Sequence, residues 1–271
     1  MCIVCRWNSG EEKLDLNIKE LNCNNCTSLT SIPVLPKLVR LDCENCTSLT
    51  NIPVMTELKL LFCNWCTSLT TIPVMGELRI LDCRECTITS IPTLPELEEL
   101  YCAECERLTS IPLLPKLRVL YCGDCTSLTN LPIMAKLKTL NCVGCTRLTG
   151  IPAIPELTNL YCGDCTSLTN IPLLPKLTVL YCANCTSLTS ISRSCGLITT
   201  CNIGCKWLDD CRDFDKNIES LRSCQAIFKR KLTARKMERL IPTITEIYYS
   251  PGYKGEYLAQ RAFLAKMKHS Q

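Results

Sequence analysis

The motif Cys-x-x-Cys recurs nine times in register, beginning at Cys23, Cys43, Cys63, Cys83, Cys102, Cys122, Cys142, Cys162 and Cys182. The step is 20 residues, except for one step of 19 where Cys86-Thr87-Ile88-Thr89 has lost a residue. A fixed period of this length demands a stacked array in which each unit is one small supersecondary element. A tenth, degenerate unit follows with Leu197, Asn202, Cys205 and Leu208, and Asn202 stands where the first cysteine of the pair should be.

The local pattern says what each unit is. In the unit beginning at Leu38, Leu41 and Cys43 alternate with Arg40, Asp42 and Glu44, the period-2 signature of a short strand with one buried face. The prolines that follow, as in Ile32-Pro33-Val34-Leu35-Pro36, forbid helix and favour an extended or polyproline return path. Stacked units then form a parallel sheet with strands roughly 4.8 Å apart. No unit can bury its apolar face alone, so stability comes from its neighbours. The columns headed by Leu38, Leu41, Cys43, Leu49 and Ile52 are expected to make one continuous core.

Residues 14–208 resemble the leucine-rich repeat, L-x-x-L-x-L-x-x-N/C-x-L, with Cys43 at the third leucine position and Cys46 at the Asn/Cys position. The 20-residue period and the Ile-Pro-x-Leu-Pro segments (Ile32 to Pro36, Ile91 to Pro95, Ile111 to Pro115, Ile171 to Pro175) are similar to the short repeats of bacterial type III effectors. The Cys-Thr-Ser-Leu-Thr stretch and the basic tail resemble leucine-rich-repeat proteins of amoebal giant viruses. The expected fold is therefore a leucine-rich-repeat solenoid, formally of the α/β class but rich in β. Its parallel sheet lines the concave face, its convex face is irregular or polyproline, and a small helical cap closes the C-terminus. Residues 1–17 read as an N-terminal cap, 18–208 as nine regular units plus the degenerate one, and 209–271 as a basic, mostly helical cap or tail.

The repeat also reinterprets the composition. Of 271 residues, 25 are cysteine, which in a short secreted chain would mean a disulfide scaffold. Here eighteen of them are nine copies of one pair. Three readings of the pair compete. A buried thiol can act as a small hydrophobe whose S–H donates weakly to turn backbone. Stacked pairs could hold zinc, but an array of thiolates in an apolar core carries a heavy desolvation cost. Redox chemistry needs an exposed pair, and these point inward. The structural reading fits best, and no metal or cofactor is expected. The seven cysteines outside the pairs (Cys2, Cys5, Cys195, Cys201, Cys205, Cys211 and Cys224) form no recognisable site in the sequence.

The single histidine, His269, lies at the C-terminus, which removes histidine-based triads, metal sites and general bases. No phosphate loop or paired catalytic carboxylates stand out, so no catalytic residue is assigned. A net charge of +4 is too small to argue for nucleic acid, which is not expected as a partner. No signal peptide or membrane-spanning run is visible, so the chain is expected in the cytoplasm, that of the host if it is viral.

Solenoids bind on the concave sheet face, and its residues can be read off. The residue before each first cysteine forms the column Asn22, Asp42, Phe62, Asp82, Tyr101, Tyr121, Asn141, Tyr161 and Tyr181. Two residues after each first cysteine come Asn25, Asn45, Trp65, Glu85, Glu104, Asp124, Gly144, Asp164 and Asn184. Aromatics beside an acidic strip suggest a protein-binding surface, and the candidate contact residues are Phe62, Trp65, Tyr101, Tyr121, Tyr161, Tyr181, Glu104, Asp124 and Asp164. Cross-strand stacking that merely stabilises the sheet is the competing reading.

Residues 206–271 hold 14 Lys+Arg and 8 Asp+Glu, a net of +6. Residues 216–240 and 256–268 read as helices, with a short extended segment around Ile244 to Tyr249 between them. They are expected to cap the last unit. Cys211-Arg212-Asp213 matches the Cys-x-Asp of the ubiquitin ligases that follow repeats in some bacterial effectors, but those ligase domains are several times longer than this tail. The expected function is non-enzymatic binding of a protein partner of unknown identity, a host factor if the viral resemblance holds. The alternatives are a structural, self-assembling component of a particle and, remotely, a ligase acting through Cys211. The sequence leaves the oligomeric state open.

Overall fold

Each 20-residue unit turns once and lays down a three-residue strand beside that of the unit before. In a computed structural model, which describes residues 2–10, 13–191 and 199–201, these strands are β1 (Glu20–Asn22), β2 (Arg40–Asp42), β3 (Leu60–Phe62), β4 (Ile80–Asp82), β5 (Glu99–Tyr101), β6 (Val119–Tyr121), β7 (Thr139–Asn141) and β8 (Asn159–Tyr161). After the two-residue strand β9 (Asn170–Ile171) come β10 (Val179–Tyr181), β11 (Ser190–Ile191) and β12 (Thr199–Cys201). All but β9 and β11 join one parallel ten-stranded sheet in chain order. The register repeats without a slip: Leu41 pairs with Leu61, Leu61 with Leu81, and Leu81 with Leu100, so the 19-residue step is absorbed in the return path and not in the sheet. The described repeats form a parallel-sheet β-solenoid.

The middle residue of each strand points inward. Leu41, Leu61, Leu81, Leu100, Leu120, Leu140 and Leu160 are fully buried, each worth about 1.5–3 kcal/mol relative to exposure. Both cysteines of every pair are buried too. The return path adds Leu49, Ile52 and Met55 and their equivalents, giving one continuous apolar column.

The backbone pairing runs past the strands. The N–H of Cys43 donates to the Phe62 carbonyl at 2.8 Å, and that of Asn45 to the Asn64 carbonyl at 2.8 Å. Asn45 then turns the chain out of the sheet with φ +55°, and the equivalent residue of every regular unit is likewise left-handed. Left-handed backbone favours Gly, Asn and Asp, which supply six of these nine positions.

The return path is mostly irregular, as its prolines dictate. It is not wholly so: β9 and β11 pair in parallel as a second, two-stranded sheet. Thr50 N–H reaches the Thr30 carbonyl at 3.4 Å, whereas Thr189 N–H reaches the Thr169 carbonyl at 2.9 Å, so contact between return segments tightens toward the later units.

At the start, helix α1 (Ile3–Asn8) covers the open edge of the first unit, with Val4 completely buried in the core. At the other end, β12 aligns Thr200 with Leu180 and Cys201 with Tyr181. The helices expected within 209–271 lie outside the described residues.

Candidate functional site

The outward residues of the strands form the sheet face. Phe62, Tyr101, Tyr121, Tyr161 and Tyr181 each end a strand and are half-buried. Much of that burial is mutual. The rings of Tyr101 and Tyr121 stack with centroids 5.3 Å apart. The Tyr101 hydroxyl donates to Glu99 Oε2 at 2.8 Å, and burial together with that carboxylate pushes the phenol well above its ordinary range. Tyr181 lies against the backbone of the previous unit: a Cβ on Gly163 would come within 2.3 Å of the Tyr181 ring, so Gly163 is the seat on which that ring rests. Asn141 separates Tyr121 from Tyr161 in the pairing register.

The early units carry charge instead. Arg40 holds Asp42 through two parallel bonds of 3.0 Å, and its guanidinium lies 4.8 Å from the centre of the Phe62 ring. Two strands on, Arg84 grips the buried Asp82 in the same bidentate way, at 2.9 and 2.7 Å. This second pair crosses from the strand to the turn at the same two-residue spacing.

Trp65, Glu104, Asp124 and Asp164 sit at the left-handed position just beyond the strands, where the sheet face meets its edge. Trp65 is 45% exposed, unlike the half-buried aromatics of the strands. Glu85, Glu104 and Asp124 follow it in consecutive units. Burial, then the charges of Glu85, Asp124 and Glu106, raise the Glu104 carboxyl, and burial and Asp164 raise that of Asp124. The Asp124 carboxylate occupies the space of a side chain at Gly144, where a Cβ would lie 2.0 Å from Oδ1. Asn184 donates to Asp164 at 2.9 Å and closes the strip.

Three features here escaped the sequence. Asn64, next to Trp65, is buried with no hydrogen-bond partner for Oδ1. In the first unit the equivalent Asn24 Oδ1 accepts the N–H of Glu44 at 2.8 Å, but the corresponding N–H, that of Arg84, is turned to Asp82 Oδ1. Lys116, Arg118, Lys136 and Lys138, with Glu98 and Glu156, line a shallow depression; they precede the strands, so the sheet face has a basic edge opposite its acidic one. On the return path Val34, Val54, Val74, Leu113, Ile133 and Leu173 are all more than half exposed and occupy the same place in their units. The x of Ile-Pro-x-Leu-Pro was the available signal for this aliphatic stripe.

The cysteine pairs form an inner ladder. The second thiol of each pair donates to the carbonyl of the first cysteine one unit earlier, at 2.9–3.1 Å from Cys46→Cys23 through Cys185→Cys162. The first thiols, such as Cys63 and Cys122, are pushed far above the ordinary thiol range by contact with the next unit's second thiol and by burial. The twenty cysteines from Cys2 to Cys185 are free. Cys211 and the basic tail lie outside the described residues, and no described helix is long and apolar enough to cross a membrane.

No family model matches the chain, and the curated proteins offer no match. Among solved structures, the chain is similar to a leucine-rich repeat protein from Bacteroides ovatus ATCC 8483, at 16% identity over 68% of this chain and 78% of that one, with a TM-score of 0.30. It is similar also to a leucine-rich repeat protein from Eubacterium ventriosum ATCC 27560, at 15% identity over 65% of this chain and 76% of that one, with a TM-score of 0.29.

Proposed function

We propose that this solenoid is a non-enzymatic protein-binding module that grips its partner with the outward sheet face from Phe62 to Tyr181 and with the acidic edge beside it. Trp65 carries the reading. It is large, exposed and held at φ +59°, where Asn, Asp or Gly stands in six of the nine units. Backbone strain in a bulky residue is tolerated where a binding site benefits, and exposed tryptophan is among the residues that dominate interfaces. The constant inner columns and variable outward ones make the same point: the scaffold repeats while the face differs from unit to unit. The partner surface suited to this edge is basic opposite Glu85, Glu104 and Asp124 and apolar opposite Trp65 and the tyrosines. A host factor met in the cytoplasm is the partner that the viral resemblance suggests.

The test uses Trp65→Asn with Tyr121→Ala. Asparagine restores the residue that the backbone prefers, so the fold keeps its thermal midpoint while a partner recovered by cross-linking from the native cell is lost. A double variant that retains that partner places binding elsewhere.

A second reading, self-assembly, has its own observation in the exposed aliphatic residues from Val34 to Leu173, a stripe broken at Thr93, since exposed apolar patches mark association surfaces. Light scattering over a concentration series separates the two. Growth in mass that Val74→Glu and Leu113→Glu abolish supports assembly, and a monomer at every concentration excludes it.

A further inference from the structure

The second cysteine of the first unit differs from its eight counterparts. Cys46, Cys66, Cys86, Cys105, Cys125, Cys145, Cys165 and Cys185 each spend their S–H on a carbonyl of the preceding unit. Cys26 has no preceding unit. Its sulfur instead accepts the N–H of Cys2 at 3.4 Å and lies 3.3 Å from the sulfur of Cys5. The sulfurs of Cys2, Cys5 and Cys26 all fall within 4.8 Å of one another, and Ser28 Oγ lies 3.7 Å from those of Cys5 and Cys26. The chain segment that seals the first unit thus brings a Cys-x-x-Cys of its own onto the first thiol of the ladder.

We propose that Cys2, Cys5 and Cys26 form a three-thiolate site for Zn²⁺ that fastens the N-terminal segment to the first repeat. Tetrahedral zinc with Zn–S bonds of about 2.3 Å sets its sulfurs about 3.8 Å apart, within the spread seen here and reachable by side-chain rotation. Cys2 and Cys5 are only partly buried, so the fourth position opens to solvent and takes water or an external ligand. The N–H of Cys2 and the hydroxyl of Ser28 are the donors that a bound thiolate needs around it. Binding releases the thiol protons to solvent, so affinity rises with pH. Three charges around one divalent ion at a half-exposed edge avoid the desolvation cost that rules out an array through the core.

The experiment is a Zn²⁺ titration of the full chain, kept reduced with a phosphine, against a colorimetric chelator, with Co²⁺ as spectroscopic probe. The expected result is one Zn²⁺ per chain, sulfur-to-cobalt charge-transfer bands and a raised thermal midpoint. All three are lost in Cys2→Ser/Cys5→Ser and kept in Cys224→Ser. The two serines replace partly exposed thiols, so a cooperative melt of the zinc-free double variant shows that it still folds. A parent chain that binds no zinc overturns the proposal, and so does a double variant that binds as the parent does. Isolation without reductant that yields 23 free thiols and a Cys5–Cys26 disulfide, with no zinc taken up after reduction, overturns it as well.

Discussion

The thiol of Cys125 donates to the backbone carbonyl of Cys102 at 3.0 Å, across one unit of the stack and 23 residues of chain. That bond satisfies a buried carbonyl that would otherwise face only sulfur and aliphatic carbon, and its counterparts run from Cys46 to Cys185. The cysteine pair is therefore two devices: the first thiol fills the space behind the strand, and the second joins adjacent units.

This division predicts unequal costs for two neighbouring substitutions. Cys125→Ala strips a buried carbonyl of its donor, which costs about 1–3 kcal/mol. Cys122→Ala removes a buried sulfur and leaves that bond in place, and should cost less. Chemical denaturation of the two variants gives the order, and equal losses would remove the distinction.

Asn64 makes an opposite prediction. Its Oδ1 is buried and unpartnered, while later units carry Ala103, Gly123, Val143, Gly163 and Ala183 at the same position. Asn64→Ala relieves an orphaned acceptor and should leave the thermal midpoint unchanged or raise it, by up to about 1 kcal/mol in stability. A clear drop in the midpoint means that Asn64 has a partner in solution.

The acidic edge sets a pH dependence. The carboxyls of Glu104 and Asp124 are raised in the folded chain, so their charged forms oppose folding. The penalty is fully present above their folded pKa values and disappears as the pH falls below the ordinary carboxylate range, where both states are protonated. Glu104→Asn should therefore stabilise at pH 7. Part of the gain is electrostatic and fades on acidification; the rest, roughly 0.5–1 kcal/mol from a residue better suited to left-handed backbone, persists at low pH. Thermal melts at pH 7 and pH 3 separate the two, and a loss of stability at pH 7 contradicts the reading.

Leu120 sits at zero exposure in the middle of the sheet. Leu120→Asp buries an unpaired charge with no neighbour to compensate it, a change in the class that costs more than about 4 kcal/mol. Stability in a stacked array is shared between neighbours, so several units should open together, seen as new protease cuts on both sides of residue 120. A melt like that of the parent would overturn the inward assignment.

Nearly all of the scaffold was legible in the sequence, because one pattern is repeated nine times and a strand face is read by alternation alone. Leu41, Cys43 and Cys46 could be placed inward and Tyr101 and Tyr121 outward without coordinates. Alternation does not encode what depends on the third dimension of the stack. The left-handed turn at Trp65, the clamp of Arg84 on Asp82, the Tyr181 ring resting on Gly163 and the aliphatic stripe on the return path all arise between units or at their corners. The meeting of Cys2, Cys5 and Cys26 was hidden for a further reason: Cys26 reads as one more copy of the repeat, and only the missing neighbour before it makes it different.

The central claim is that the cysteine pairs are a buried structural ladder, which leaves the outward face free to bind. It is tested most directly by alkylating the reduced native chain and locating each modified cysteine by peptide mass spectrometry. The account predicts that Cys43 through Cys182 stay unmodified until denaturant is added, while Cys2 and Cys5 react in the native state and are protected by Zn²⁺. Rapid native-state modification of central ladder thiols such as Cys102, Cys122 or Cys142, or their recovery as disulfides, would contradict it.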